Sequence, residues 1–171
     1  MMKNLFQILC GLFLVVSYSS CMHSEEDKVD VLIIGGGASG VTSGIQSARM
    51  GANTLILEES TWLGGMLTSA GVSAVDGNYR LPAGLWGEFK NRLSDYYGGL
   101  DSLKTGWVSN VLFEPSVGNK ILHEMVAAEN NLKVWKQACL EEVKRTGDEW
   151  VAKVKVEGQG VKTVRAKVMI D

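Results

Sequence analysis

The chain has 171 residues, 46% of them hydrophobic and 21% charged, with a formal net charge of −2. That is enough for one ordinary domain with its own core. The balance is mildly acidic and Lys and Arg are scattered, so the chain lacks the basic footprint of a nucleic-acid partner and that class is excluded.

Residues 1–21 read as a targeting segment. Lys3 precedes an apolar run from Leu5 to Val16, and small polar residues follow. The run is shorter than the roughly 20 residues a bilayer span needs, so a signal peptide is expected rather than a membrane helix. Cys21, behind Tyr18-Ser19-Ser20, resembles the lipidated cysteine of a bacterial lipobox. Tyr18 departs from the aliphatic residue usual at its place, and an uncleaved or conventionally cleaved signal is the alternative. On the lipobox reading the protein is exported, periplasmic or membrane-anchored. It touches the membrane only through a lipid anchor or signal peptide, with residues 22–28 as a polar tether. Residues 29–171 are then the folded domain.

Cys10 leaves with the signal and Cys21 carries lipid, so Cys139 alone remains inside the folded part and no disulfide framework is expected. No ligand spacing joins Cys139, Asp or Glu to His23 or His123, and no metal site is predicted. His123 falls on a predicted helix, where a solvated or packed role is expected.

From Val29 the pattern is regular. "VDVLII" is a β-branched run that ends in glycines, which predicts a buried strand of a parallel sheet. "ASGVTSGIQSARM" places Val41, Ile45 and Ala48 at helical spacing, and "GAN" stops it. "TLIL" predicts a second buried strand ending at Glu58, completing a strand-helix-strand unit. "STWLGGMLTSAGVSAVDGNYR" is glycine-rich without periodicity and reads as loop. "AGLWGEFKNRLSDYY" puts Leu85, Phe89, Leu93 and Tyr96 on one helix face, with Pro82 just ahead. "EPSVGNKILHEMVAAENN" predicts a further helix through Val117, Ile121, Met125 and Ala128, closed by the Asn pair. Trp86 and Trp107 read as core or interface filler. "LKVW", "ACLEEV", "EWVAKVKV" and "VKTVRA" predict a meander with one wet face and glycine-bearing turns, and "KVMID" adds another strand-like run.

Gly35, Gly37 and Gly40 form G-x-G-x-x-G between the first strand and the first helix. A diphosphate needs backbone N–H groups close to it, and side chains there would obstruct the approach. Gly35 permits the tight turn, Gly37 admits the phosphates, and Gly40 lets helix and strand pack closely. The free N–H groups and positive end of the helix beginning near Ala38 attract the anion, so Gly35, Gly37, Ala38, Ser39 and Gly40 are the predicted pyrophosphate residues. Gly44 extends the close packing. Glu58 lies eighteen positions after Gly40, at the tip of the second strand. There a carboxylate accepts hydrogen bonds from ribose hydroxyls and repels a 2′-phosphate, so FAD or NAD is preferred to NADP. Glu59 reads as a solvated neighbour.

The segment from Asp30 to Gly71 resembles the amino-terminal part of FAD-dependent oxidoreductases built on the glutathione-reductase-type flavin fold, a family that takes in flavoproteins similar to heterodisulfide reductase. The resemblance continues through "LPAGLWGEF", "FEPSVGNKILHEMV" and the late meander. It implies a Rossmann-like α/β FAD/NAD(P)-binding domain: a parallel sheet, helices and a small antiparallel meander. It also implies that Leu63, Gly64 and Gly65, followed by Met66, bring a second loop over the flavin, and that backbone near Cys139 and Leu140 contacts the adenine. Family members can carry iron-sulfur clusters on several cysteines, and this chain supplies no such ligand set. The family's domain normally continues with an Ala-Thr-Gly turn and a substrate domain, whereas the sequence stops at Asp171. The chain is therefore expected to be an amino-terminal fragment, incomplete at its C-terminus and inactive alone.

The function expected is that of an FAD-dependent oxidoreductase part, with flavin-mediated hydride or electron transfer on an unknown small-molecule substrate. No catalytic acid or base stands out among Glu88, Asp95, Asp101, Glu114 and Glu124. The alternatives are an NAD-linked oxidoreductase on the same glycines and acid, a non-catalytic exported lipoprotein that has lost its cofactor, and a sugar-associated binding module that rests only on the export signal. The start has Lys3 but no Arg pair, so FAD would be acquired after translocation.

Overall fold

A run of apolar residues without polar alternation must be covered on both sides, and the way this chain covers "VDVLII" sets its architecture. The computed structural model describes residues 26–104 and 109–171. In chain order it contains β1 (Glu26–Ile34), α1 (Ala38–Arg49), β2 (Thr54–Glu58), β3 (Ala74–Val75), α2 (Gly84–Tyr97), β4 (Val111–Leu112), α3 (Pro115–Ala127), β5 (Leu132–Lys136), β6 (Ala138–Thr146), β7 (Glu149–Val156) and β8 (Gly160–Ile170). The main sheet has six strands in the order β5-β2-β1-β8-β7-β6. The pairs β5-β2, β2-β1 and β1-β8 are parallel, and β8-β7-β6 is antiparallel.

Side-chain alternation divides the buried run between two cores. Ile33 and Ile56 face Val41 and Ile45 of α1 together with Phe89 of α2 and Ile121 of α3. Leu32, Leu55 and Leu57 face the other way, against Ala152, Val154, Val164 and Ala166 of the meander. Each fully buried aliphatic side chain here contributes about 1.5–3 kcal/mol relative to exposure. The helices thus cover one face, and β7 and β8 close the other.

Several expectations change in three dimensions. Glu26, Asp27 and Lys28, read as the end of a tether, pair in register with Thr163, Val164 and Arg165 and belong to β1. Ladder hydrogen bonds do not require apolar side chains, so a strand can run upstream of its hydrophobic stretch. "LKVW" is not part of the meander: as β5 it lies parallel to β2, at the opposite edge of the sheet. "VKTVRA" and "KVMID" are one continuous strand, β8, which joins the meander to the parallel sheet. The stretch after Glu58 is not all loop, since Gly65–Leu67 makes a short 3₁₀ turn and β3 pairs with β4.

The helix faces hold with small shifts. Leu93 and Phe89 are buried, but Tyr96 is 52% exposed and Tyr97 packs against the core instead. Ala128 is exposed at the end of α3. The side chain of Asn131, expected to close α3, donates to Ala48 O and Ala52 O at 2.9 and 2.8 Å and so caps the end of α1. Arg49 in that same last turn pairs with Glu88 of α2 at 2.9 Å and with Glu129 at 2.7 Å, tying the three helical segments together. Trp86 packs on the core as expected, with its indole N–H buried and unpartnered, whereas Trp107 lies outside the described residues. Among the described residues no helix is long and apolar enough to cross a membrane.

Candidate dinucleotide site

β1 delivers the chain to Gly35, whose φ of 93° is the turn a side chain would resist. Its N–H donates to Leu57 O at 2.8 Å, holding the turn on the end of β2. Gly37 caps α1 with an extended backbone and no side-chain cap, and a Cβ built there would meet nothing within 4 Å. Gly40 is the opposite case: a Cβ would stand 1.9 Å from Gly35 O. Gly44 repeats this deeper in the helix, where a Cβ would stand 2.6 Å from Ile56 Cδ1. Gly40 and Gly44 therefore set how closely α1 lies on the sheet, while Gly37 leaves open space at the front of the helix. The N–H groups of the first turn, carried by Ala38, Ser39 and Gly40, have no carbonyl one turn above them within the helix.

Glu58 is fixed rather than loose. Its Oε2 accepts from Gly36 N–H at 2.8 Å and its Oε1 from Ser60 N–H at 2.7 Å. A carboxylate has about four acceptor positions, so both oxygens can still take hydroxyl donors. Gly36, the unspecified residue of the motif, is needed for this: a Cβ there would lie 2.7 Å from Glu58 Oε2 and 2.8 Å from Leu63 Cδ2. Only the triple glycine hinted at that role.

The second glycine loop lies directly on the first. Gly64 N–H donates to Gly36 O at 2.8 Å, and Gly37 and Gly64 form a parallel bridge. A Cβ on Gly65 would come 3.1 Å from Gly37 Cα. Leu63 is fully buried and anchors the loop. Its N–H donates to Asn119 Oδ1 of α3 at 2.9 Å and its carbonyl accepts from Thr68 Oγ1 at 2.5 Å. Asn119 and Thr68 were not singled out in the sequence, because single polar residues on a helix and in a loop look like ordinary surface. Met66 follows on the 3₁₀ turn with its side chain exposed. A cavity of about 260 Å³ opens beside Ala38 and Ser39, walled by Leu67, Trp86, Phe89 and Leu122.

The structure thus brings Gly35, Gly37, Ala38, Ser39, Gly40, Glu58, Gly64, Gly65 and Met66 into one neighbourhood. Bare backbone, open space at Gly37 and a held carboxylate with spare acceptor positions suit a nucleotide diphosphate. Cys21 lies outside the described residues.

Cys139 is exposed at the start of β6, and its thiol donates to Glu59 Oε1 at 3.4 Å. Glu59 is thus engaged with the only cysteine of the described residues. The hydrogen bond to Glu59 and its negative charge push the Cys139 thiol above its ordinary range. Little thiolate then forms at neutral pH. Iodoacetamide at pH 8 is expected to alkylate Cys139 several-fold more slowly than a free cysteine, and Glu59→Gln is expected to restore the rate, as read by peptide mass spectrometry.

Of the other acids considered, Asp95 and Glu124 are exposed. Glu88 pairs with Arg49, Asp101 with Lys104 at 2.7 Å, and Glu114 accepts from Tyr97 OH at 2.9 Å. His123, expected to be solvated or packed, is half-buried on α3, where burial and Lys136 pull its pKa down. Among the described residues no group of His, Cys, Asp and Glu could hold a metal ion.

The sequence matches the family described as FAD dependent oxidoreductase over residues 30–171. No curated protein matches it. Among solved structures, a flavoprotein/dehydrogenase from Cytophaga hutchinsonii is similar at 16% identity and a TM-score of 0.62, over 85% of this chain and 39% of that one. The bacillithiol disulfide reductase of Bacillus cereus shows 16% identity and a TM-score of 0.56, over 84% and 39%. The p-nitrophenol 4-monooxygenase of Pseudomonas putida DLL-E4 shows 14% identity and a TM-score of 0.54, over 84% and 40%. At these identities the likeness is one of fold, and the chain spans about two fifths of each of those proteins. The match over nearly the whole described region decides the family: this chain belongs to the FAD dependent oxidoreductases.

Proposed function

We propose that this chain forms the ADP-binding part of a flavoenzyme, holding FAD by its pyrophosphate and adenosine ribose. The observation that carries the reading is the contact between the two glycine loops at the front of α1, next to a carboxylate already held by Gly36. The N–H groups of Ala38, Ser39 and Gly40 donate to the phosphate oxygens, with the positive end of the helix adding about 0.3–1 kcal/mol or more of attraction. Glu58 accepts from the ribose hydroxyls, and its charge disfavours a 2′-phosphate. Gly64, Gly65 and Met66 lie along the flavin-side portion, and the backbone at Cys139 borders the adenine, since Cys139 reaches the residue next to Glu58. The bound flavin supplies hydride or electron transfer, and the protein orients it and limits water. The export and lipid attachment proposed for Cys21 rest on the sequence alone.

A fluorescence titration of the chain with FAD tests this. One FAD per chain is expected, with quenched flavin emission and displacement by ADP but not by FMN, because the grip is on the adenosine diphosphate. Absence of FAD binding, displacement by FMN alone, or preference for NAD over FAD would overturn the reading.

A further inference from the structure

We propose that the cleft between the segment after β3, the start of α2 and the segment before β4 binds a small organic carboxylate. It holds about 330 Å³, and Tyr79, Arg80, Lys90, Leu100, Lys104 and Asn110 are among the residues that line it. None of its lining residues belongs to the glycine loops, so it is a separate site from that of the proposed cofactor.

Lys90 is the observation that points to a ligand. It sits on α2 with only 8% of its surface exposed. Its ammonium donates to Tyr79 O and to Leu81 O, each at 2.9 Å. An ammonium carries three donors, so one N–H remains on a group that also lines the cleft. Among the described residues no carboxylate forms an ion pair with Lys90. A buried ammonium without a countercharge is costly, and the Trp86 ring, 5.9 Å from Nζ, compensates only in part.

The surroundings add charge of the same sign. Arg80 stacks 5.5 Å over the Tyr79 ring and, among the described residues, has no carboxylate partner. Lys104 pairs with exposed Asp101 at 2.7 Å and lines the same cleft as Arg80. Three cations therefore face the cleft against one carboxylate. Leu100 and Val111 supply apolar wall, and the Asn110 amide offers both a donor and an acceptor. An anionic head on an apolar body satisfies both halves of this lining, and a bare inorganic anion satisfies only one.

Isothermal titration calorimetry of the full 171-residue chain tests the proposal, with benzoate as probe, benzyl alcohol as its neutral counterpart and inorganic phosphate as the bare anion. Benzoate is expected to bind about tenfold or more tightly than benzyl alcohol. Arg80→Gln and Lys104→Gln, both exposed side chains, are each expected to weaken benzoate by about three- to tenfold with an unchanged circular dichroism spectrum. Lys90→Met is expected to abolish binding, and should it fail to fold the two exposed variants still decide. Equal affinity for benzoate and benzyl alcohol, or indifference to both exposed substitutions, would overturn the proposal. Phosphate binding as tightly as benzoate and lost in the same variants would overturn it in favour of a free oxyanion site.

Discussion

Gly40→Ala is expected to lose stability outright, while Gly37→Ala keeps the fold and loses the cofactor. At Gly40 the new Cβ would stand 1.9 Å from a backbone oxygen, so α1 must move away from the Gly35 turn. Overpacking against backbone of this kind costs about 3 kcal/mol or more, which lowers the unfolding midpoint of a chain this size by about 10 °C. At Gly37 the Cβ meets no protein atom and the backbone suits any residue, so the unfolding free energy stays within about 0.5 kcal/mol of the parent. That Cβ occupies the space where phosphate oxygens approach the first-turn N–H groups. Loss of one or two charge-assisted hydrogen bonds lowers FAD affinity by about 10- to 100-fold. Calorimetric melting and flavin fluorescence measured on both variants separate the two roles. Parent-like FAD affinity in Gly37→Ala would show that the open space at the helix front is not the phosphate seat.

Glu58→Gln is the second large effect. The carboxylate accepts from Gly36 and Ser60 through different oxygens, and an amide can satisfy only one of them. One N–H is left facing an NH₂ group, at a cost of about 1–3 kcal/mol to the loop. The ribose hydroxyls meanwhile lose a charged acceptor. FAD and ADP affinities are expected to fall together by about 10- to 100-fold, and any weak binding of FMN is expected to be unchanged, because FMN carries no adenosine. A variant that binds ADP as the parent does would remove Glu58 from the ribose role and leave it a purely structural tie between β2 and the glycine loop.

Much of the nucleotide unit was legible because its determinants are local. The apolar run of β1, the spacing of Val41, Ile45 and Ala48, and the acid at the end of β2 are each set by neighbours a few residues away. The second glycine loop entered through resemblance, and its contact with Gly36 and Gly37 is a tertiary fact. Asn119 and Asn131 were missed or misplaced for one reason: each side chain serves a backbone group more than fifty positions away, and no local pattern marks a polar residue that caps something distant. Lys90 was overlooked similarly, because a lysine on an amphipathic helix reads as solvated until the loop at Tyr79 and Leu81 closes over it.

The sequence by itself determined the strand-helix-strand order, the glycine turn between the first strand and the first helix, and the acid that closes the unit, because these follow from steric limits and hydrophobic period along adjacent residues. Tertiary structure alone decided that β8 is one strand shared by the parallel and antiparallel parts, that β5 stands at the far edge, and that two glycine loops meet above Glu58. Strand pairing and loop contact depend on which backbone groups find partners across the fold, and a backbone hydrogen bond carries almost no signature in the side chains that flank it.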